Sequence, residues 1–86
     1  MAFLDLLYFG SLRETLGKDG ERVDPPSHVL TIEDLVAWLG ERDEPYRSAF
    51  GAPSRIGGAV EGERVGNRDS IFGAREVALF PPPGAL

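Results

Sequence analysis

Cysteine is absent from this chain of 86 residues, and histidine occurs once, as His28. The absence of cysteine excludes disulfide bridges, thiolate metal ligands and a cysteine nucleophile. With a single histidine, a zinc ion would need carboxylates for nearly all of its ligands, which is uncommon. His28 follows Pro25-Pro26-Ser27, so we interpret it as a solvated loop residue and expect no bound metal.

Motifs that mark common catalytic sites are absent as well. The sequence contains no G-x-S-x-G nucleophile elbow, no Walker A loop and no G-x-G-x-x-G fingerprint. His28 has no nucleophile motif beside it, so a Ser-His-Asp triad is not indicated. We therefore expect a non-catalytic protein that binds no cofactor permanently.

Basic residues and long apolar runs are both scarce. Nine bases stand against 14 acids, for a net charge of −5, whereas a nucleic-acid-binding protein normally has a basic stripe. The longest apolar run is too short to span a membrane, and Met1–Asp5 lacks the basic start of a secretory signal. We expect no nucleic-acid or membrane partner and a cytoplasmic location. Residues 1–45 carry ten acids against four bases, which suits a basic partner surface or a merely solvated face.

The first third of the chain predicts a strand followed by a short helix. Phe3–Phe9 is short, apolar and aromatic, which is typical of a strand, and both of its faces are largely apolar. Such a strand lies centrally in its sheet. Ser11 with Glu14 three residues later has the form of a capping box, and Gly17 is suited to end the helix.

The main helix is predicted to follow Thr31, with Thr31 as its N-cap and Asp34 in the capping-box position. Gly40 and Pro45 bracket its end. Four apolar residues repeat at helical spacing: Ile32, Leu35, Val36 and Leu39. They form one stripe, and Trp38 beside it is predicted at the edge of the core.

Short strands complete the pattern. They are predicted at Glu21–Asp24, at Ile56–Val60, around Arg64-Val65 and at Glu76–Phe80, with a turn at Glu61-Gly62. We interpret Gly57 and Gly58 as residues whose lack of a side chain accommodates the backbone at a strand edge. The element order predicts an α+β fold, a mixed sheet with one main helix on one face.

The predicted core lies between that helix and the sheet. Its members are Leu4, Leu6, Ile32, Leu35, Val36, Leu39, Val77 and Leu79. Because one helix covers only one face of a sheet, Phe9 and Phe80 are expected on the uncovered face. An exposed aromatic patch on a small domain usually marks a partner site, so the pattern favours binding.

Three segments of the chain resemble the MoaD family, the small sulfur-carrier subunit of molybdopterin synthase. They are Leu7–Gly17, Thr31–Leu35 and Glu76–Pro82, which occur in the family's order and span nearly the whole chain. The resemblance implies a ubiquitin-like β-grasp domain over residues 1–80, followed by an extended C-terminal tail over residues 81–86. Three prolines favour an extended, stiff tail.

The resemblance also implies a function and partners. An E1-like enzyme would adenylate the C-terminal carboxylate with ATP, and sulfur would displace AMP to give a thiocarboxylate. The large subunit of molybdopterin synthase would then receive the tail. The residues implied at the partner interface are Phe9, Arg13, Phe80, Pro81 and Pro82.

The tail departs from the family pattern at the reactive position. Relatives usually end in Gly-Gly, whereas this sequence has Gly84-Ala85-Leu86. The acyl group is therefore that of Gly84 if the chain is trimmed there, and that of Leu86 if it is not. Three hypotheses stay open: a molybdopterin-synthase sulfur carrier, a carrier for another pathway such as thiazole synthesis, and a β-grasp binding module without carrier chemistry.

Overall fold

A computed structural model describes residues 3–52 and 55–81 of the chain. The strands are β1 (Leu4–Tyr8), β2 (Gly20–Val23), β3 (Gly57–Val60), β4 (Glu63–Val65) and β5 (Glu76–Phe80). The helices are α1 (Ser11–Leu16), α2 (Ile32–Gly40) and α3 (Tyr46–Ala49). The predicted strands are thus all present, with bounds that differ by at most one residue.

The strands form one mixed sheet in the order β2-β1-β5-β3-β4. The first and last strands, β1 and β5, are parallel neighbours, and the other pairs are antiparallel. Parallel strands end at the same edge of a sheet, so the segment after Tyr8 and the segment after Phe80 emerge side by side. The expected α+β fold with a mixed sheet is confirmed.

The core lies between the sheet and the helices. Burial alternates along β1, with Leu4, Leu6 and Tyr8 buried, as expected for a strand with one covered face. The four apolar residues of the α2 stripe are all 0% exposed. All eight residues predicted for the core belong to the buried cluster, and Trp38 packs half-buried against it. These predictions are confirmed.

The start of α2 follows the predicted capping in part. Thr31 Oγ1 accepts a hydrogen bond from the backbone N–H of Asp34 at 3.1 Å, and Asp34 Oδ2 accepts one from the N–H of Leu30 at 3.1 Å. The first bond satisfies an N–H group that the helix leaves without an intrahelical acceptor, so the Thr31 cap is confirmed. The second bond differs from a capping box, because Asp34 accepts from Leu30, the residue before the cap, and not from the N–H of Thr31. The helix ends at Gly40. A side chain at this position would be crowded, because its Cβ would lie 3.0 Å from the carbonyl oxygen of Phe50.

The predicted capping box at Ser11 is wrong. The N-cap of α1 is Gly10, with φ 59° and ψ −136°, and no side chain caps the helix. The N–H groups of Leu12 and Arg13 donate to the carbonyl oxygens of Phe9 and Gly10 at 3.2 and 3.1 Å. The chain therefore turns one residue earlier than a Ser11 cap requires, and Ser11 is already helical. Gly17 ends the helix with φ 73°, as predicted.

The interpretation of Gly57-Gly58 as a strand-edge feature is also wrong. Their strand, β3, lies inside the sheet between β5 and β4. Gly58 faces α2, and a Cβ at this position would lie 2.8 Å from Ile32 Cδ1. The absence of a side chain at Gly58 therefore allows α2 to pack closely on the sheet. The turn at Glu61-Gly62 is confirmed, with φ values of 53° and 85°.

A polar cluster around Glu21 ties the helices to the edge of the sheet. The hydroxyls of Tyr8 and Tyr46 donate to Glu21 Oε2 at 2.7 and 2.6 Å. Lys18 Nζ and Arg42 Nη1 lie 3.5 and 3.7 Å from Glu21 Oε1. Burial opposes ionisation of Glu21, but the two hydroxyls and the two cations outweigh it, so the pKa of Glu21 is lowered. Burial and the neighbouring Glu21 raise the pKa of Tyr8.

Leu35→Ala should lower the free energy of unfolding by about 2–5 kcal/mol, because it removes a fully buried side chain and leaves a cavity. Leu30→Ala is the matched control, since Leu30 is 55% exposed and should cost less than about 0.5 kcal/mol. Urea titration of both variants gives the comparison. Equal effects would mean that α2 packs on another face.

Glu21→Gln should destabilise the protein near neutral pH by about 1–2 kcal/mol, because the charged acceptor of two hydroxyls and two cations is lost. Because the pKa of Glu21 is lower in the folded protein than in the unfolded chain, the ionised side chain stabilises the fold at higher pH. This stabilisation is lost as the pH falls through the folded-state pKa. The difference between wild type and variant should therefore shrink in acid. Glu63→Gln, at an exposed position, should show no such difference. A Glu21→Gln deficit that is constant with pH would contradict the proposed role of the charge.

Candidate functional site

The face of the sheet opposite the helices, called the open face here, is apolar at the end where β1 and β5 finish. The register places Leu7 beside Ala78, Ala78 beside Ala59, and Gly57 beside Phe80. These residues alternate along their strands with those that face α2, so they point away from that helix; Ala59 is nevertheless buried, at 5% exposure. The open-face positions of β3 at this end are glycine and alanine, Gly57 and Ala59.

Phe9 and Phe80 form a stacked pair on the open face. Their ring centroids are 5.1 Å apart with an interplanar angle of 16°, within the range of favourable aromatic stacking. Phe9 is 41% exposed and Phe80 is half-buried, and neither belongs to the buried core. The prediction that both rings share the face that the helices leave uncovered is confirmed. Their role in binding a partner stays a prediction.

The tail leaves the domain next to this aromatic pair. The N–H of Phe9 donates to the carbonyl oxygen of Leu79 at 3.2 Å, which holds the two strand ends together. Pro81, the first tail residue, is half-buried and packs over Gly10, where a Cβ would lie 2.9 Å from Pro81 Cγ. The tail therefore begins at the aromatic edge of the open face.

The other predicted tail residues lie outside the described part of the chain. These are Pro82, Gly84 and Leu86. Their roles as delivery segment and acyl group stay predictions.

Arg13 is exposed, as predicted, but it already has a neighbour within the chain. Its Nε lies 3.8 Å from Asp19 Oδ1, and both side chains are largely solvent-accessible. An exposed pair of this length contributes little to stability, so the guanidinium can exchange this neighbour for another carboxylate. Pairing with an acid on a partner stays a prediction.

Two arginines near the tail were not identified from the sequence. Arg55 and Arg64 line a groove of about 530 Å³ together with Phe80 and Pro81. The Arg64 guanidinium lies over the Phe80 ring, 4.9 Å from its centroid. In the hairpin that turns at Glu61-Gly62, Arg64 lies opposite Ala59. Because paired residues share a face of the sheet, this register alone would have been enough to predict Arg64 on the open face.

Two further features of the described residues bear on function. Within residues 3–52 and 55–81, no group of three or more histidine, aspartate or glutamate side chains could hold a metal ion. None of the helices described there is long and apolar enough to cross a membrane.

The mixed sheet, the single long helix and the C-terminal strand at the sheet centre define the class of ubiquitin-like β-grasp proteins. Within this class, the chain belongs to the ThiS family, whose family model matches residues 6–84. It therefore has the ubiquitin-like fold of the ThiS/MoaD sulfur carriers. No curated protein matches the sequence significantly.

Solved structures of other proteins share this fold. A Pyrococcus furiosus protein assigned as molybdopterin converting factor, subunit 1, superposes with a TM-score of 0.68 at 22% identity, covering 95% of this chain and 99% of the other. SAMP1 from Haloferax volcanii superposes with a TM-score of 0.66 at 26% identity, covering 99% and 100%. A second structure from H. volcanii, named small archaeal modifier protein 1, has a TM-score of 0.62 at 22% identity, covering 95% and 99%.

Gly10→Ala should destabilise the domain by about 1–3 kcal/mol, because an alanine at φ 59° is strained and its Cβ would collide with Pro81. Gly17→Ala is the matched control, since Gly17 also has a positive φ, of 73°, but nothing lies within 4 Å of its Cβ position. Thermal unfolding should show the larger loss for Gly10→Ala, and NMR should show a shift of the Phe80 amide in that variant alone. Equal losses with an unchanged Phe80 signal would mean that Gly10 does not set the position of Pro81.

Proposed function

We propose that this protein is the sulfur-carrier small subunit of a molybdopterin synthase, and that its C-terminal carboxylate is the group that carries sulfur. The observation that supports this most is the stacked Phe9–Phe80 pair on the open face, directly beside the first residue of the tail. A partner that covers the pair would hold the tail at a fixed point of entry. The likeness to a protein named for molybdopterin conversion favours this pathway.

The chemistry explains why such a carrier needs no catalytic side chain of its own. A free carboxylate is a poor electrophile. Its oxygen attacks the α-phosphorus of ATP and releases pyrophosphate, which gives a reactive acyl adenylate. Hydrosulfide then attacks the acyl carbon, AMP leaves, and a thiocarboxylate remains. The activating enzyme supplies the catalytic groups for these steps, so we propose that this chain is a non-catalytic carrier.

Every predicted site residue has a role in this proposal, and that of Arg13 is to pair with an acid on the large subunit. Phe9 and Phe80 dock on the large subunit and, in a separate complex, on the E1-like enzyme. Pro81 and Pro82 direct the tail away from the sheet, since proline has no N–H with which to extend it. Gly84, or Leu86 in an untrimmed chain, provides the acyl group.

Other functions have specific support. The SAMP1 structure is the more similar in sequence, at 26% identity, and the related H. volcanii structure is named as a modifier protein. This favours attachment of the same activated carboxylate to an amine as a second candidate. A carrier for thiazole synthesis would use the same chemistry. The binding module without carrier chemistry is favoured by Ala85 and Leu86, which stand where relatives usually have glycine.

The test of carrier function is intact-protein mass spectrometry after incubation with an E1-like enzyme, ATP and sulfide. A carrier should gain the mass difference between sulfur and oxygen, either on the full chain or on a chain ending at Gly84. A variant ending in Gly-Gly is the positive control. Modification of that variant alone would show that the native sequence is a binding module, and formation of an amide with other proteins would favour the modifier function.

Phe9→Ala and Phe80→Ala should each weaken the complex with the large subunit by about tenfold or more, because both remove an aromatic side chain from the centre of the docking surface. Their effect on thermal unfolding should be small, since neither ring belongs to the core. Phe72→Ala is the matched control, because Phe72 is 91% exposed and lies outside the open face. Calorimetric titration measures all three affinities. Unchanged affinity in both open-face variants would contradict the assigned docking surface.

A further inference from the structure

The groove beside the tail, called the arginine groove here, is lined by Arg55, Arg64, Phe80, Pro81 and Asn67. Phe80 and Pro81 contribute the aromatic edge of the open face, and Arg55 and Arg64 contribute the charged groups. Asn67 is held in place because its Nδ2 donates to the carbonyl oxygen of Ile56 at 2.7 Å. The groove is thus a formed feature of the surface and is continuous with the proposed docking surface.

Arg64 is held at a defined position in the groove. Its register opposite Ala59 directs it to the open face, and its guanidinium lies over the ring of Phe80 at 4.9 Å. Its Nη2 is only 3.4 Å from the Cβ position of Gly57, so a side chain at Gly57 would crowd it. A guanidinium stacked on an aromatic ring keeps its N–H edge available for a planar carboxylate.

Among residues 3–52 and 55–81, five arginines have no ion pair with a carboxylate: Arg47, Arg55, Arg64, Arg68 and Arg75. Of these, Arg55 and Arg64 are the two that line the groove beside the start of the tail. The other three arginines pair with carboxylates of the chain, namely Arg13, Arg22 and Arg42. Both groove arginines are exposed, and the chain carries 14 acids against nine bases. An acidic protein therefore presents two unneutralised cations at the point where its tail begins.

The chemistry of the groove fits a protein carboxylate better than a nucleic acid. Two cations on a protein of net charge −5 do not offset the repulsion of a polyanion. Phe80, Pro81 and Ile56 give the groove an apolar part beside its charged groups, a combination that is usual in protein interfaces. Guanidinium and carboxylate match in a bidentate geometry that a lysine cannot provide.

We propose that Arg55 and Arg64 bind acidic side chains of the protein that receives the tail, at the rim of the channel that the tail enters. This rests on the proposed function, because it assigns the partner of the same site. The ion pairs fix the rotation of the domain about its aromatic pair, so that the tail points into the channel. A receiving protein would carry aspartate or glutamate at that rim.

The first experiment tests the groove without any partner protein. NMR follows the Nε–Hε signals of the arginines while three probes are added: the blocked peptide Gly-Glu-Glu-Gly, its neutral counterpart Gly-Gln-Gln-Gly, and inorganic phosphate. The acidic peptide should shift Arg55 and Arg64, and the neutral peptide should not. Arg47 is the matched control, since it is an exposed arginine on α3, on the helical side of the sheet.

Three results would overturn the proposal. The first is no selective shift with the acidic peptide. The second is an equal shift of Arg47, which would show only unspecific attraction. The third is a stronger response to phosphate than to the acidic peptide, which would assign the groove to a phosphorylated ligand.

The second experiment measures affinity for the large subunit of molybdopterin synthase. Arg64→Gln, which keeps a planar polar group without charge, should weaken binding about five- to tenfold, and Arg64→Lys should weaken it less. Arg55→Ala should also weaken binding, and Arg47→Ala should not. In about 1 M salt, which screens charges beyond about 3 Å, wild type and variants should converge.

A loss in Arg64→Gln that is the same at all salt concentrations would show that Arg64 only supports the Phe80 ring, and would contradict the proposal. Failure of the wild type to bind the large subunit would overturn the proposed function instead. In that case the peptide experiment still decides whether the groove binds carboxylates.

Discussion

The parallel pairing of β1 with β5 is the constraint on which the rest of the molecule depends. It brings the first and last strands together in the middle of the sheet and makes their ends coincide at one edge. Phe9, which follows β1, can therefore stack on Phe80, which ends β5. The same pairing starts the tail at Pro81 beside these rings. An antiparallel arrangement would have sent the tail and Phe9 to opposite edges.

The two faces of the sheet differ in what covers them, because so short a chain supplies only one long helix. One long helix with a fully buried stripe covers one face, and Gly58 lets it approach closely. The remaining helices pack at the same side, where Phe50 joins the core. No element of the described chain covers the other face at the ends of β1 and β5. Apolar surface left open in this way favours association with another protein.

The sequence predicted those features that depend on local spacing. The stripe of α2, its Thr31 cap and the alternation along β1 all follow from periods of 3.6 and 2 residues, and the structure agrees. The shared face of Phe9 and Phe80 followed from counting how many sheet faces one helix covers. Spacing alone predicted a mixed sheet with one main helix. The resemblance to the MoaD family was needed to identify this arrangement as the ubiquitin-like fold.

Features that depend on contacts between distant segments were missed or misassigned. The bonds of Glu21 to Tyr8 and Tyr46 join residues 13 and 25 positions apart, and no local pattern indicates them. Gly58 was interpreted as a strand-edge residue because the position of β3 inside the sheet follows only from the topology. The cap at Ser11 failed because Gly10 can adopt backbone angles that begin the helix earlier. The sequence pattern alone does not reveal which of two adjacent residues begins a helix.

We expect a partner to cover the open face where β1 and β5 end, beside the start of the tail. The most direct measurement is the change in backbone amide NMR signals of the labelled protein when the large subunit of molybdopterin synthase is added. The changes should concentrate at Leu7, Phe9, Ala78 and Phe80, while the signals of Ile32–Gly40 on the helical side should stay unchanged. Changes centred on α2, with the open face unaffected, would contradict this expectation.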